Sequence, residues 1–97
     1  MNKRFVASIV AGGILGGAIV LTDEEFCFFC NKITIADEYK RLRIPYNEIA
    51  SVSVKMAALI FPVAKIVSKN DRTYRFVIFN KKGFLRAMNQ MVGDRVK

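Results

Sequence analysis

Polar and apolar residues alternate most strictly over residues 50–56. Ala50, Val52, Val54 and Met56 share one parity, and Ser51, Ser53 and Lys55 the other. This period of two predicts a half-buried strand with the first set inward. Residues 40–45 alternate as well, with Leu42 and Ile44 opposite Arg41 and Arg43, and Pro45 ends the run. Two more strands are predicted over residues 63–68 and 73–79; the second sets Tyr74, Phe76 and Ile78 against Arg75, Val77 and Phe79. Residues 69–72 (KNDR) have turn composition. Beyond Phe79 the period lengthens. Phe84, Leu85, Met88, Met91 and Val92 recur at helical spacing opposite Lys82, Arg86, Asn89 and Gln90. Asn80 is a favoured N-cap and Gly93 suits the C-terminal cap.

The amino-terminal third admits two readings. Residues 5–21 form an uncharged run of 17, preceded by Lys3 and Arg4 and followed by Asp23, Glu24 and Glu25. Read as a helix, this is the anchor of a small membrane protein. However, 17 residues lie at the lower limit for spanning, four of them are glycine, and no small-residue cleavage site precedes the acidic cluster. Read as strands, the pairs Gly12-Gly13 and Gly16-Gly17 punctuate a β-branched sequence containing Val6, Ile9, Val10, Ile14, Ile19 and Val20. A first strand over residues 6–10, a glycine-bearing loop over 11–14 and a hairpin of 17–21 with 25–30 follow. In the hairpin, Phe26, Phe28 and Cys30 face away from Cys27 and Phe29. Asn31-Lys32 then shifts the parity to Ile33 and Ile35, which suggests a bulge, and residues 37–39 form a polar loop. The strand reading is preferred. It gives a mainly β chain of about seven strands with one C-terminal helix, a single domain over residues 1–97. Residues 1–4 are a basic lead-in and residues 93–97 a tail.

Composition fits one modest core: 97 residues, 53% of them apolar. The net charge of +8 is uneven. Residues 1–38 carry three basic and five acidic side chains, whereas residues 39–97 carry thirteen and three. A basic second half favours an anionic partner. Cys27 and Cys30 are too few for a disulfide framework, and residues three apart on a strand face opposite ways. With no histidine, a single C-x-x-C is a poor zinc site. Buried thiols fit a reducing, cytoplasmic setting.

Three stretches are similar to the pleckstrin-homology (PH)-like superfamily, and within it to GRAM and bacterial PH-like domains. Residues 17–28 (GAIVLTDEEFCF) resemble that family's glycine–threonine–phenylalanine hairpin. Residues 44–54 (IPYNEIASVSV) resemble its strand–turn–strand with an isoleucine after an acidic residue. Residues 74–88 (YRFVIFNKKGFLRAM) resemble its last strand running into the closing helix. The resemblance implies a bent, partly open seven-stranded barrel or sandwich. The helix would plug one end through Phe84, Met88 and Met91. Where such domains bind phosphoinositide headgroups, basic residues lie between the first two strands. Here residues 11–16 (AGGILG) contain none.

The candidate contact residues are therefore Lys40, Arg41 and Arg43 on one strand and Lys81 and Lys82 at the helix start, all for an anionic surface. Leu59, Ile60 and Phe61, in the apolar stretch 57–62 (AALIFP), are candidates for an apolar contact. Catalysis, cofactor and metal are not expected, since no base, nucleophile or ligand cluster stands at a working spacing. The expected activity is a non-catalytic module for protein interaction or self-assembly, as a homo-oligomer or with another protein. The alternative is a membrane-peripheral module on acidic lipid. Nucleic acid is disfavoured, because the aromatic residues fall at core positions rather than among exposed bases.

Overall fold

The computed structural model describes residues 2–10, 14–30, 41–57 and 61–97. Among the described residues, seven strands and one helix follow in chain order. The strands are β1 (Lys3–Val10), β2 (Ile14–Leu21), β3 (Glu25–Phe29), β4 (Arg41–Pro45), β5 (Ile49–Ala57), β6 (Phe61–Ser68) and β7 (Thr73–Ile78); α1 (Lys81–Val92) closes the chain. Short 3-10 turns occupy Tyr46–Glu48 and Gly93–Arg95. The strands form one antiparallel sheet in the order β4-β3-β2-β1-β7-β6-β5, with β4 and β5 at its edges. The mainly β architecture with a C-terminal helix agrees with the alternation in the sequence.

The amino-terminal run forms strands. Lys3 pairs with Leu21 and Val10 with Ile14, so β1 and β2 are a hairpin and Lys3 and Arg4 belong to β1 rather than to a lead-in. Gly16-Gly17 lies inside β2 instead of interrupting it. At Gly17 a side chain would meet the Phe29 carbonyl and come within 2.8 Å of the Phe28 ring. The glycine is there for a close approach rather than for a turn. The polar turn expected after Leu21 is built on Thr22, whose Oγ1 accepts from the Glu24 and Glu25 N–H groups at 3.2 and 3.0 Å. The expectations for Asn31, Lys32, Ile33, Ile35 and residues 37–39 fall outside the described residues.

The sheet curls. Flat, β3 and β7 would lie about 14 Å apart across β2 and β1. Instead the rings of Phe26 (β3) and Phe76 (β7) have centroids 5.3 Å apart, and those of Phe28 and Phe76 5.2 Å. Inside the curl α1 lays Phe84 edge-on against Phe5 at 5.7 Å and against Phe26 at 6.4 Å. Phe84, Ala87, Met88 and Val92 are buried, while Met91, expected in the core face, packs at its margin. Asn80 caps the helix, its Oδ1 accepting from the Gly83 N–H at 3.1 Å, and Gly93 ends it at φ 58°.

Two expectations along β5 are corrected. Ala50 is exposed and Ile49 is buried in its stead, because the register against β6 shifts between Ile49 and Ser51. Met56 is 46% exposed, since the β5–β6 hairpin runs beyond the core; Val54 is the last residue of that parity packed against it. Residues 93–97 are not a loose tail. Arg95 Nη1 donates to the Tyr46 carbonyl at 2.7 Å, Val96 bridges to Val52 in parallel, and the Lys97 N–H donates to the Val52 carbonyl at 2.7 Å.

Tyr46 ties the β4–β5 turn to the β2–β3 turn, its hydroxyl donating to the Thr22 carbonyl at 2.7 Å. Burial, then the neighbouring Cys27, Asp23 and Glu25, push its pKa up to about 12. A raised folded-state pKa means that the neutral phenol stabilises the fold. That contribution is complete below the ordinary tyrosine value of about 10 and is lost as pH rises through about 12. Urea midpoints of wild type and Tyr46→Phe should therefore differ by a constant amount from neutral pH to about 9, and converge between about 10 and 12. A gap that stays constant to the top of that range would contradict this.

Candidate functional site

The expected basic residues do not converge. Arg41 and Arg43 are exposed on edge strand β4, opposite Phe29 and Cys27. Arg43 lies 3.6 Å from the Glu25 carboxylate, so part of its charge is answered within the fold. The same carboxylate and burial act on Cys27: burial first, then Glu25, push the thiol pKa up. Cys27 and Cys30 are both free and buried. Lys81 and Lys82 stand in the first turn of α1, where Asn80 already satisfies one backbone donor. Lys40, Leu59 and Ile60 lie outside the described residues. Phe61 is half exposed and opens β6.

A polar cavity of about 300 Å³ adjoins β4 and the β6–β7 turn, lined by Arg43, Ile44, Glu48, Ser68, Lys69, Asn70 and Tyr74. Its cations are offset by Glu48. Among the described residues no group of three or more His, Cys, Asp or Glu side chains is placed to hold a metal, and no helix is long and apolar enough to cross a membrane.

The more distinctive surface is the sheet face turned away from α1. Strand parity puts Phe5, Ala7 and Ile9 of β1 in the core, and Val6, Ser8 and Val10 on the other side. Likewise β7 turns Phe76 and Ile78 inward and Arg75 and Val77 outward, and β6 turns Ala64 and Ile66 inward and Val63 and Lys65 outward. One helix covers one face. Val77 and Ser8 are buried within that face, but other residues on it stay in contact with water: Val6 is 65% exposed, Ile14 67%, Phe79 64% and Phe61 50%.

Ile14, Phe61 and Phe79 border a groove of about 510 Å³ that crosses five strands. Its floor follows a row of directly opposed residues, Lys55–Val63–Val77–Ser8, running from β5 to β1, and Ile14 carries the lining on to β2. Phe61 and Phe79 stand on one bank. On the other are Arg75, Val10 and Ile14. Lys65 pairs directly with Arg75 across β6 and β7, and with Ser53 of β5, one register step from Lys55. Lys55 and Arg75 line the groove and Lys65 stands beside them, so three exposed cations from three adjacent strands lie in the β5–β7 half of a mostly apolar channel. None is hydrogen-bonded or ion-paired among the described residues, and no acidic side chain lines the groove. Like charges facing each other across a ladder cost stability, so Lys65 opposite Arg75 suits a counter-anion.

The groove had a partial sequence signal. Residues 5–10 and 74–79 are apolar on both parities, more than a one-sided strand needs. The cation cluster had none, because Lys55, Lys65 and Arg75 meet only through the register of β5, β6 and β7.

No protein-family model matches the chain, and no curated protein matches it. Among solved structures it is similar to the C-terminal domain of an unknown protein from Leishmania infantum. The TM-score is 0.77 at 17% identity, covering 93% of this chain and 81% of that one. At that identity the likeness establishes a shared fold, a small seven-stranded α+β architecture.

Proposed function

We propose that this chain is a non-catalytic binding module that works through the outer face of its sheet, and that it docks there on an acidic membrane surface. The observation that carries this is the union, on one face, of the exposed apolar groove and the unpaired Lys55, Lys65 and Arg75. Exposed apolar patches rimmed by polar groups mark contact sites, and each cation near an acidic bilayer contributes about 1 kcal/mol. Seven antiparallel strands followed by a helix are in keeping with the PH-like and GRAM reading of the chain, and the proposal places its work at the cytoplasmic membrane surface. The binding surface differs from the first-loop site of headgroup-binding relatives, in keeping with the absence of bases in residues 11–16.

Sedimentation with vesicles tests this. Wild type should pellet with phosphatidylglycerol-containing vesicles at low salt and not with pure phosphatidylcholine. The double variant Lys65→Glu/Arg75→Glu should lose at least about 2 kcal/mol, roughly thirty-fold in partitioning. Arg41→Glu/Arg43→Glu should lose less. Wild type that ignores acidic vesicles at low salt would sink the reading.

A second reading, interaction with another protein or a second copy, has its own support at the β5 edge. There Val96 makes a single parallel bridge to Val52 and the Lys97 N–H donates to the Val52 carbonyl, so the edge accepts backbone pairing, and strand addition is the mode. Light scattering at rising concentration checks the self-assembly form of it; a mass fixed at that of the monomer removes that form.

A further inference from the structure

We infer that the outer-face groove holds the alkyl chain of a single anionic amphiphile, with its carboxylate or phosphate head at Lys55, Lys65 and Arg75. This rests on the membrane reading above and narrows it: the ligand is one lipid molecule held in the groove, whether drawn from a bilayer or free in solution.

The groove's dimensions come first. A volume of about 510 Å³ falls within the range of small-ligand sites rather than of flat docking surfaces. The channel spans four interstrand steps from β5 to β2, about 19 Å along its floor. A stretched alkyl chain fits that length.

The chemistry of the lining decides between occupants. The floor strands exchange their backbone N–H and C=O groups with one another in the ladder. Apart from Ser8, Lys55 and Arg75, the lining side chains offer no hydrogen bond. An extended peptide laid there would leave its own backbone groups without partners, a cost that hydrocarbon does not incur. A second copy would bring a further +8 to a face already crowded with cations. An alkyl chain matches the apolar length, and its anionic head relieves the repulsion between Lys65 and Arg75. The head is not specified further: both a carboxylate and a phosphate ester accept from ammonium and guanidinium groups.

The test uses the purified full chain and 1-anilinonaphthalene-8-sulfonate, a fluorescent apolar anion, as the reporter. It should bind saturably at one site and be displaced by decanoate and dodecanoate below their micelle concentrations. Affinity should rise about four-fold per added methylene. Dodecanol, with the same chain and no charge, should compete at least ten-fold less well than dodecanoate, given about 1 kcal/mol for each of the cations it leaves unanswered. Phe61→Ser/Phe79→Ser, at exposed positions, should flatten the chain-length dependence, and Lys65→Glu/Arg75→Glu should remove the preference for the charged head. Far-UV circular dichroism identical to wild type shows that both variants remain folded.

Displacement indifferent to chain length, or equalled by inorganic phosphate, would overturn the inference in favour of a bare charge site. Binding to acidic vesicles without binding of dodecanoate would overturn it while leaving the membrane reading intact. Failure of both would remove the two together and leave the protein-interaction reading.

Discussion

Replacing Phe84 by alanine is expected to bring the fold to the edge of unfolding. Phe84 is fully buried and joins α1 to the sheet through edge-on contacts with Phe5 and Phe26. Removing a buried aromatic ring costs about 3–5 kcal/mol through lost transfer energy and the cavity left behind. A small domain has only about 5–15 kcal/mol in total. The cavity cannot collapse easily here, because its walls belong to β1 and β3, which are held in the sheet by β2 between them. Urea denaturation followed by circular dichroism should show the midpoint falling steeply. If Phe84→Ala cost less than about 1 kcal/mol, the helix would not be the lid of this core.

The second large effect is expected at Gly17. Valine is a good strand residue, and by propensity alone Gly17→Val should strengthen β2. The tertiary environment predicts the reverse. A side chain there meets the Phe29 carbonyl and the Phe28 ring, and Phe28 is itself fully buried and locked against Phe76. Overpacking of this kind costs about 1–3 kcal/mol or more. Gly16→Val is the control, since its side chain would meet only the Ser8 hydroxyl at 4.0 Å. The pair should diverge in urea midpoint, with Gly17→Val much the less stable. Equal midpoints would show that the clash relaxes at little cost.

Both predictions depend on distinguishing the two faces of strands that look alike on both. Alternation over residues 40–45, turn chemistry at Thr22 and at residues 69–72, and the change to helical period after Phe79 were all readable, because each is a local property of the chain. Asn80 and Gly93 were readable as caps for the same reason. The shift at Ile49–Ser51 was not, since a bulge changes parity without leaving a composition mark. Nor was the role of Gly16-Gly17, where a turn and a close approach call for the same residue.

The site divides in the same way. Phe61 could be singled out because an apolar stretch at a hairpin is unusual in any context. Arg41, Arg43, Lys81 and Lys82 could be singled out because they are adjacent or nearly so. Lys55, Lys65 and Arg75 could not, being ten residues apart and surrounded by ordinary strand sequence.

By itself the sequence determined the fold class: strands at the amino end and one closing helix. The tertiary structure decided which apolar surface stayed open. Among the described residues one helix covers one side of a curled sheet, while on the opposite side Val6, Ile14, Phe61 and Phe79 stay exposed around the buried Ser8 and Val77. Strand register then brings three cations together along the β5–β7 half of the groove. Register is a relation between segments, and no segment read alone contains it.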